Sequence, residues 1–174
     1  MDFELRTGRE VLARTPLVLT SLLQGLPDSL ARQNEGPDTW SPFDVVGHLI
    51  HGELTDWMPR TRIILEHGTQ ETFEPFDRFA QFEASAGKSL NQLLEEFSSL
   101  RQGNLFALDG LGLTPEQLEL EGSHPEFGTI TLKQMLSAWV VHDLGHIGQI
   151  VRTMAKLYST EAGPWGAYLR VLKR

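Results

Sequence analysis

Apolar residues recur three and four positions apart through most of this chain, and alternating segments are scarce. That period predicts helices, with glycine and proline as punctuation. A first helix is expected from about Phe3 to Gln24, with Leu5, Val11, Leu12, Leu19, Leu22 and Leu23 on its apolar face. Gly25 and Pro27 stop it, and Pro16 inside it should kink or split it. A second helix starts at Ser41, an N-cap followed by Pro42 at the first helical position and Asp44 at the third. It runs to about Glu66, with a kink expected at Pro59. After a long connection from His67 to about Phe76, a third helix covers roughly Arg78 to Leu108, interrupted near Gly87. Thr114-Pro115-Glu116 starts a short turn or helix, and Ser123 to Ile130, holding Pro125 and Gly128, reads as an irregular loop. Thr131 caps a fourth long helix to about Leu157, with Gln134 completing a capping box. Trp165 to Leu172 forms a short terminal helix.

These elements predict an all-α fold. Long connections on either side of the third helix argue against simple up-down order, because that order uses short loops. The expectation is a four-helix bundle with a crossover connection, plus short extra helices, in one domain over 1–174.

The fourth helix is apolar on nearly every side. One stripe holds Leu132, Met135, Trp139, His142, His146 and Gln149. A second, Leu136, Val140, Leu144, Ile147, Val151 and Met154, reads as an ordinary core face. A third holds Ala138, Val141, Gly145 and Gly148. Each glycine costs about 1 kcal/mol of helix propensity relative to alanine, for which close packing of another helix is the expected compensation. A helix apolar all round is buried all round, so a subunit interface is expected as well.

Composition narrows the function classes. The absence of cysteine excludes disulfides and thiolate metal sites. A formal charge of −8 argues against electrostatic binding of nucleic acid and is read as simple solubility. No apolar run reaches the ~18 residues of a membrane span, and the acidic N-terminus lacks a signal-peptide n-region. A cytoplasmic protein with no nucleic-acid or membrane partner is expected.

The candidate chemistry lies in His142-Asp143-Leu144-Gly145-His146-Ile147-Gly148-Gln149. His142 and His146, one helical turn apart, project from one face and can share a metal ion. Such a pair also occurs by chance, and a lone histidine in an apolar stripe is ordinarily a hydrogen-bonded core residue. Asp143 is turned about 100° from His142 and cannot ligate beside it. Among the six histidines, His48 sits two turns past its Ser41 cap, on rigid backbone suited to a site. Asp44 could orient His48 or ligate, although it also fits the N3 position of the cap. His51 is displaced around the helix, His124 could close over the site from a loop, and His67 near a helix end reads as structural or exposed. Glu53 reads as a solvated or salt-bridged carboxylate; Trp40, Trp57 and Trp139 read as core. Gln149, one turn beyond His146, could hydrogen-bond a ligand or an imidazole.

The stretch Trp40-Ser41-Pro42-Phe43-Asp44-Val45-Val46-Gly47-His48-Leu49, taken with His142 through Ile150, resembles the DinB-like superfamily, a group related to bacterial thiol S-transferases and mycothiol-dependent maleylpyruvate isomerases. The resemblance extends to Thr15-Pro16 and to Gly128-Thr129-Ile130-Thr131-Leu132. It implies a crossover four-helix bundle, commonly a homodimer, with a divalent transition metal held by His48, His142 and His146. Three imidazoles leave a coordination position open, as in catalytic sites, and zinc and nickel both suit such a set. Two chemistries follow: hydrolysis of a small-molecule substrate by metal-bound water, or transfer through a low-molecular-weight thiol deprotonated by the metal. In either, Asp44 and Gln149 are the expected cofactor-binding neighbours. The alternative is a non-catalytic, stress-related metal-binding dimer.

Overall fold

The computed structural model describes residues 2–173. Its helices are α1 (Leu5–Leu23), α2 (Asp28–Ala31), α3 (Pro42–Thr55), α4 (Trp57–His67), α5 (Ala80–Ala84), α6 (Leu90–Gly110), α7 (Pro115–Leu118) and α8 (Leu132–Leu157). An antiparallel hairpin of β1 (Glu121–His124) and β2 (Gly128–Thr131) stands directly before α8.

The helix starts follow local chemistry. Ser41, Ser89, Thr114 and Thr131 each accept a hydrogen bond from the backbone N–H three residues on, and the side chain at that residue returns one to the cap. This satisfies two otherwise orphaned donors at each start.

Several expected boundaries move. The second long helix breaks at Asp56, not Pro59, because Pro59 falls in the first turn of α4, where a backbone donor is not needed. The third divides into α5 and α6 around Gly87, whose φ of +76° ends α5's chain path. The terminal segment forms two 3-10 turns, Gly163–Ala167 and Arg170–Leu172, in place of one helix. Ser123 to Ile130 is not an irregular loop: it supplies most of the hairpin, with His124 opposite Gly128. Gly122 is required there, because a Cβ would lie 2.6 Å from Ile64 and 3.1 Å from Phe73.

Pro16 neither splits nor ends α1, which is continuous through it. A proline strips the carbonyl four residues earlier, that of Leu12, of its helical donor. Buried Arg101 supplies the replacement, donating from Nη1 to Leu12 O at 2.8 Å.

Both α1 and α3 pack against α6 and α8. The first and second long helices are therefore diagonal, and so are the third and fourth, which is a crossover order. The core divides into two apolar clusters. One contains Leu19, Leu23, Val46, Leu49, Leu93 and Phe97; the other contains Leu12, Trp57, Leu105, Leu132, Leu136 and Trp139. Each long helix contributes to a buried polar group formed by Thr15, Glu53, Arg101 and Asp143. Arg101 donates to Asp143 Oδ2 at 2.5 Å and to Glu53 Oε1 at 2.7 Å. Trp139 Nε1 and Asn104 Nδ2 also donate to the Glu53 carboxylate.

The faces of α8 differ from their sequence reading. Its buried side is Leu132, Met135, Leu136, Trp139, Asp143, Ile150 and Thr153. In the stripe expected to be core, Leu144 and Val151 are exposed. Gly145 and Gly148 are exposed too, and a Cβ at either meets nothing within 4 Å. Among the described residues no helix closes on them, because the bundle covers only the opposite side of α8.

Candidate metal centre

The buried run of α8 ends by delivering His142 and His146 to the α3 side, where His48 points from the middle of a capped helix. His142 Nε2 lies 3.1 Å from His48 Nε2 and 3.1 Å from His146 Nε2. The three candidate ligand atoms all lie within 4.8 Å of one another. Aromatic rings hold them in place. Trp40 packs on His48 at 4.8 Å and stacks parallel to His146, while Trp57 meets His142 edge-on at 5.1 Å.

Burial and the neighbouring imidazoles push His48 down to about 3 and His146 to about 4. Both are therefore neutral at ordinary pH, with lone pairs to offer. Gln149 Oε1 lies 2.9 Å from His146 Nδ1. An amide oxygen only accepts, so the His146 proton belongs on Nδ1 and its Nε2 lone pair faces the cluster. His48 Nδ1 and His142 Nδ1 are buried without a hydrogen-bond partner. This donor set fits a divalent transition metal: three imidazole nitrogens converge where no shared proton could satisfy them all.

The other sequence candidates separate cleanly. Asp44 belongs to the helix cap: its Oδ2 accepts from Ser41 N at 2.9 Å and Ser41 Oγ at 2.6 Å. Glu53 is salt-bridged and fully buried, not solvated. His51 packs against Phe76, and His67 is half-exposed beside Glu71. His124 comes from β1 and lines the cleft leading to the three histidines.

That cleft, about 430 Å3, also has walls that sequence reasoning missed, among them Asp56, Arg60, Phe76, Arg78 and Phe127. Asp56 Oδ1 lies 2.5 Å from Arg60 Nε, and burial nevertheless raises its carboxyl above the usual range. The sequence signal nearest Asp56 is Pro59, which marks a kink and not a site.

Two expected outcomes arise here. Gln149→Ala lowers zinc affinity by roughly 10–100-fold, the usual cost of losing an imidazole's orienting partner; titration calorimetry measures it. The second concerns acid. His48 and His146 stay neutral in the fold, whereas unfolded histidine titrates near ~6.5. Their contribution is complete above that value and is lost as pH falls toward 3–4. The Tm of metal-free protein should fall by roughly 5–10 °C between about pH 7 and about pH 5, above the main carboxylate range. A flat profile would show that the cluster is not held neutral.

A crossover bundle with three convergent imidazoles from its second and fourth long helices defines the class. The chain belongs to the DinB superfamily, whose family model matches residues 12–150. Among solved structures it is similar to YfiT from Bacillus subtilis, described as "a probable metal-dependent hydrolase with an unusual four-helix bundle topology". The TM-score is 0.75 at 23% identity, covering 91% of this chain and 87% of that one, and the likeness is one of fold. No curated protein matches the sequence. Among the described residues no helix is long and apolar enough to cross a membrane.

Proposed function

We propose that the protein is a divalent-metal-dependent enzyme that uses His48, His142 and His146 as ligands to hydrolyse a small-molecule substrate or to transfer a low-molecular-weight thiol. The observation that carries this reading is the convergence of three imidazole nitrogens at the base of a cleft of about 430 Å3. A zinc or nickel ion bound there supplies a Lewis acid and lowers the pKa of bound water or thiol. His48, His142 and His146 would hold the ion at the base of the cleft, whose volume would take the substrate. His146 is held in its ligating tautomer by Gln149. Asp56 and Glu126 are carboxylates of the cleft and its candidates for accepting a proton. The Trp40, Phe76 and Phe127 rings form its apolar wall. The description of YfiT as a probable metal-dependent hydrolase supports the hydrolytic branch.

Untagged protein should carry about one zinc or nickel per chain by elemental analysis, and a panel of esters and thiol–electrophile pairs should show turnover that a chelator removes. Protein with no stoichiometric metal overturns the proposal. The second reading, a non-catalytic metal-binding dimer, gains if the chelator unfolds the chain and no substrate is turned over.

The exposed face of α8 supports a homodimer under either reading. Val141, Leu144 and Val151 are 67%, 52% and 42% exposed, beside the open surfaces of Gly145 and Gly148. Light scattering should give twice the chain's 19.6 kDa, and Gly145→Glu should return the monomer.

A further inference from the structure

The hairpin places in the cleft one imidazole that the metal cluster does not use. Resting on the reading of the cleft as an active site, we propose that His124 is a fixed hydrogen-bond donor for a carbonyl or carboxylate oxygen of the substrate, presenting Nε2–H and never acting as the base.

The argument begins with the turn. Gly128 pairs with His124 and has a φ of +71°, a conformation that favours glycine. The three-residue loop it closes turns two backbone donors inward. Glu126 N–H and Phe127 N–H both donate to His124 Nδ1, at 3.1 Å and 3.3 Å. A nitrogen that accepts two N–H groups has no place for a proton, so the neutral ring carries its proton on Nε2. Protonating the ring would aim a third hydrogen at those donors. Burial and Arg60 also disfavour the cation, against Asp56 and Glu126, which favour it.

The ring plane is fixed as well. Phe127 stacks on it with centroids 4.3 Å apart and planes 16° apart, and Phe73 meets it edge-on. Nε2 takes no protein partner among the described residues, while the ring lines the same cleft as His48, His142 and His146. A pre-oriented neutral donor in the cleft that leads to the three histidines is suited to an oxygen that gains negative charge during attack.

Nitrogen-15 NMR on zinc-loaded protein tests the tautomer without any substrate. His124 should show an unprotonated Nδ1 and a protonated Nε2 at about pH 8. A proton on Nδ1 there overturns the proposal. The functional half uses 4-nitrophenyl acetate. His124→Phe should lower kcat/KM about 100-fold, and His124→Gln, which retains an amide donor, about 10-fold or less, with equal zinc content in all three proteins. A Phe variant within about twofold of the parent, or a Gln variant as impaired as Phe, overturns it. If the zinc-loaded parent does not turn over the ester, that failure belongs to the proposed activity, and acetate binding decides. Acetate should bind about 10-fold more weakly to His124→Phe than to the parent, and equal affinity overturns the donor role.

Discussion

Replacing His142 by alanine should abolish stoichiometric zinc or nickel binding, weakening it by roughly 1000-fold or more, while the helical bundle stays folded. Losing an outer partner of a ligand costs about 10–100-fold, and losing the ligand itself costs more. His142 is the hub of the cluster, since its Nε2 is the atom 3.1 Å from both other imidazoles. His48 and His146 alone, from different helices, leave too few donors to hold the ion. The ring is only half-buried at the cleft floor, so truncation opens space toward solvent and not a core cavity. The metal-free variant should therefore melt within about 3 °C of the metal-free parent at neutral pH. In acid the comparison should reverse. His142 is among the charges that depress both His48 and His146. Without it their values rise toward the unfolded one, and less stability is lost as pH falls. Equilibrium dialysis with elemental analysis, alongside melting curves, checks both parts. A variant that still holds one metal per chain would remove His142 from the site.

What could be read from sequence follows from how local each signal is. The Ser41 and Thr131 caps and the spacing of His142 and His146 are local patterns, and they appear in the structure where the sequence puts them. Joining His48 to that pair needed knowledge of which helices touch. The resemblance provided that, and the contact of α3 with α8 is its physical basis. The cleft walls were not legible. Asp56 and Arg60 are delivered by a helix break, and Phe76 and Arg78 by an irregular connection without periodic pattern. Gly122, Ser123, His124 and Pro125 are poor strand formers. Their hairpin forms because Phe73 N–H donates to Ser123 O and Gly122 fits under Ile64, both contacts made by distant segments. The glycine-bearing face of α8 reads as packing within the bundle because composition shows small residues but not which way they face.

Pro16 and Arg101 make the same point in a form that can be measured. Arg101→Leu should cost about 3–5 kcal/mol, lowering Tm by roughly 10–15 °C at neutral pH. The substitution leaves Glu53 and Asp143, whose side chains are fully buried, without their counter-ion. It also orphans the Leu12 carbonyl that Pro16 had already deprived of a helical donor. The pH dependence should change sign. In the parent, burial works to raise the Asp143 carboxyl, but His142 and Arg101 hold it below its ordinary value. Its stabilising contribution is therefore present above the unfolded value and lost as pH falls. In the variant Asp143 loses the guanidinium that offset its burial, so the penalty on its charged form is largest at high pH and eases as acid protonates it. A second substitution separates the charge effect from the backbone effect. Pro16→Ala restores an N–H able to bond Leu12 O within α1. In the Arg101→Leu background it should return about 1–2 kcal/mol beyond its effect in the parent, where Arg101 already fills that carbonyl. Denaturant melts of the four proteins measure this coupling. Additive effects would mean that Arg101 acts on the two carboxylates alone, and that α1 tolerates its proline for another reason.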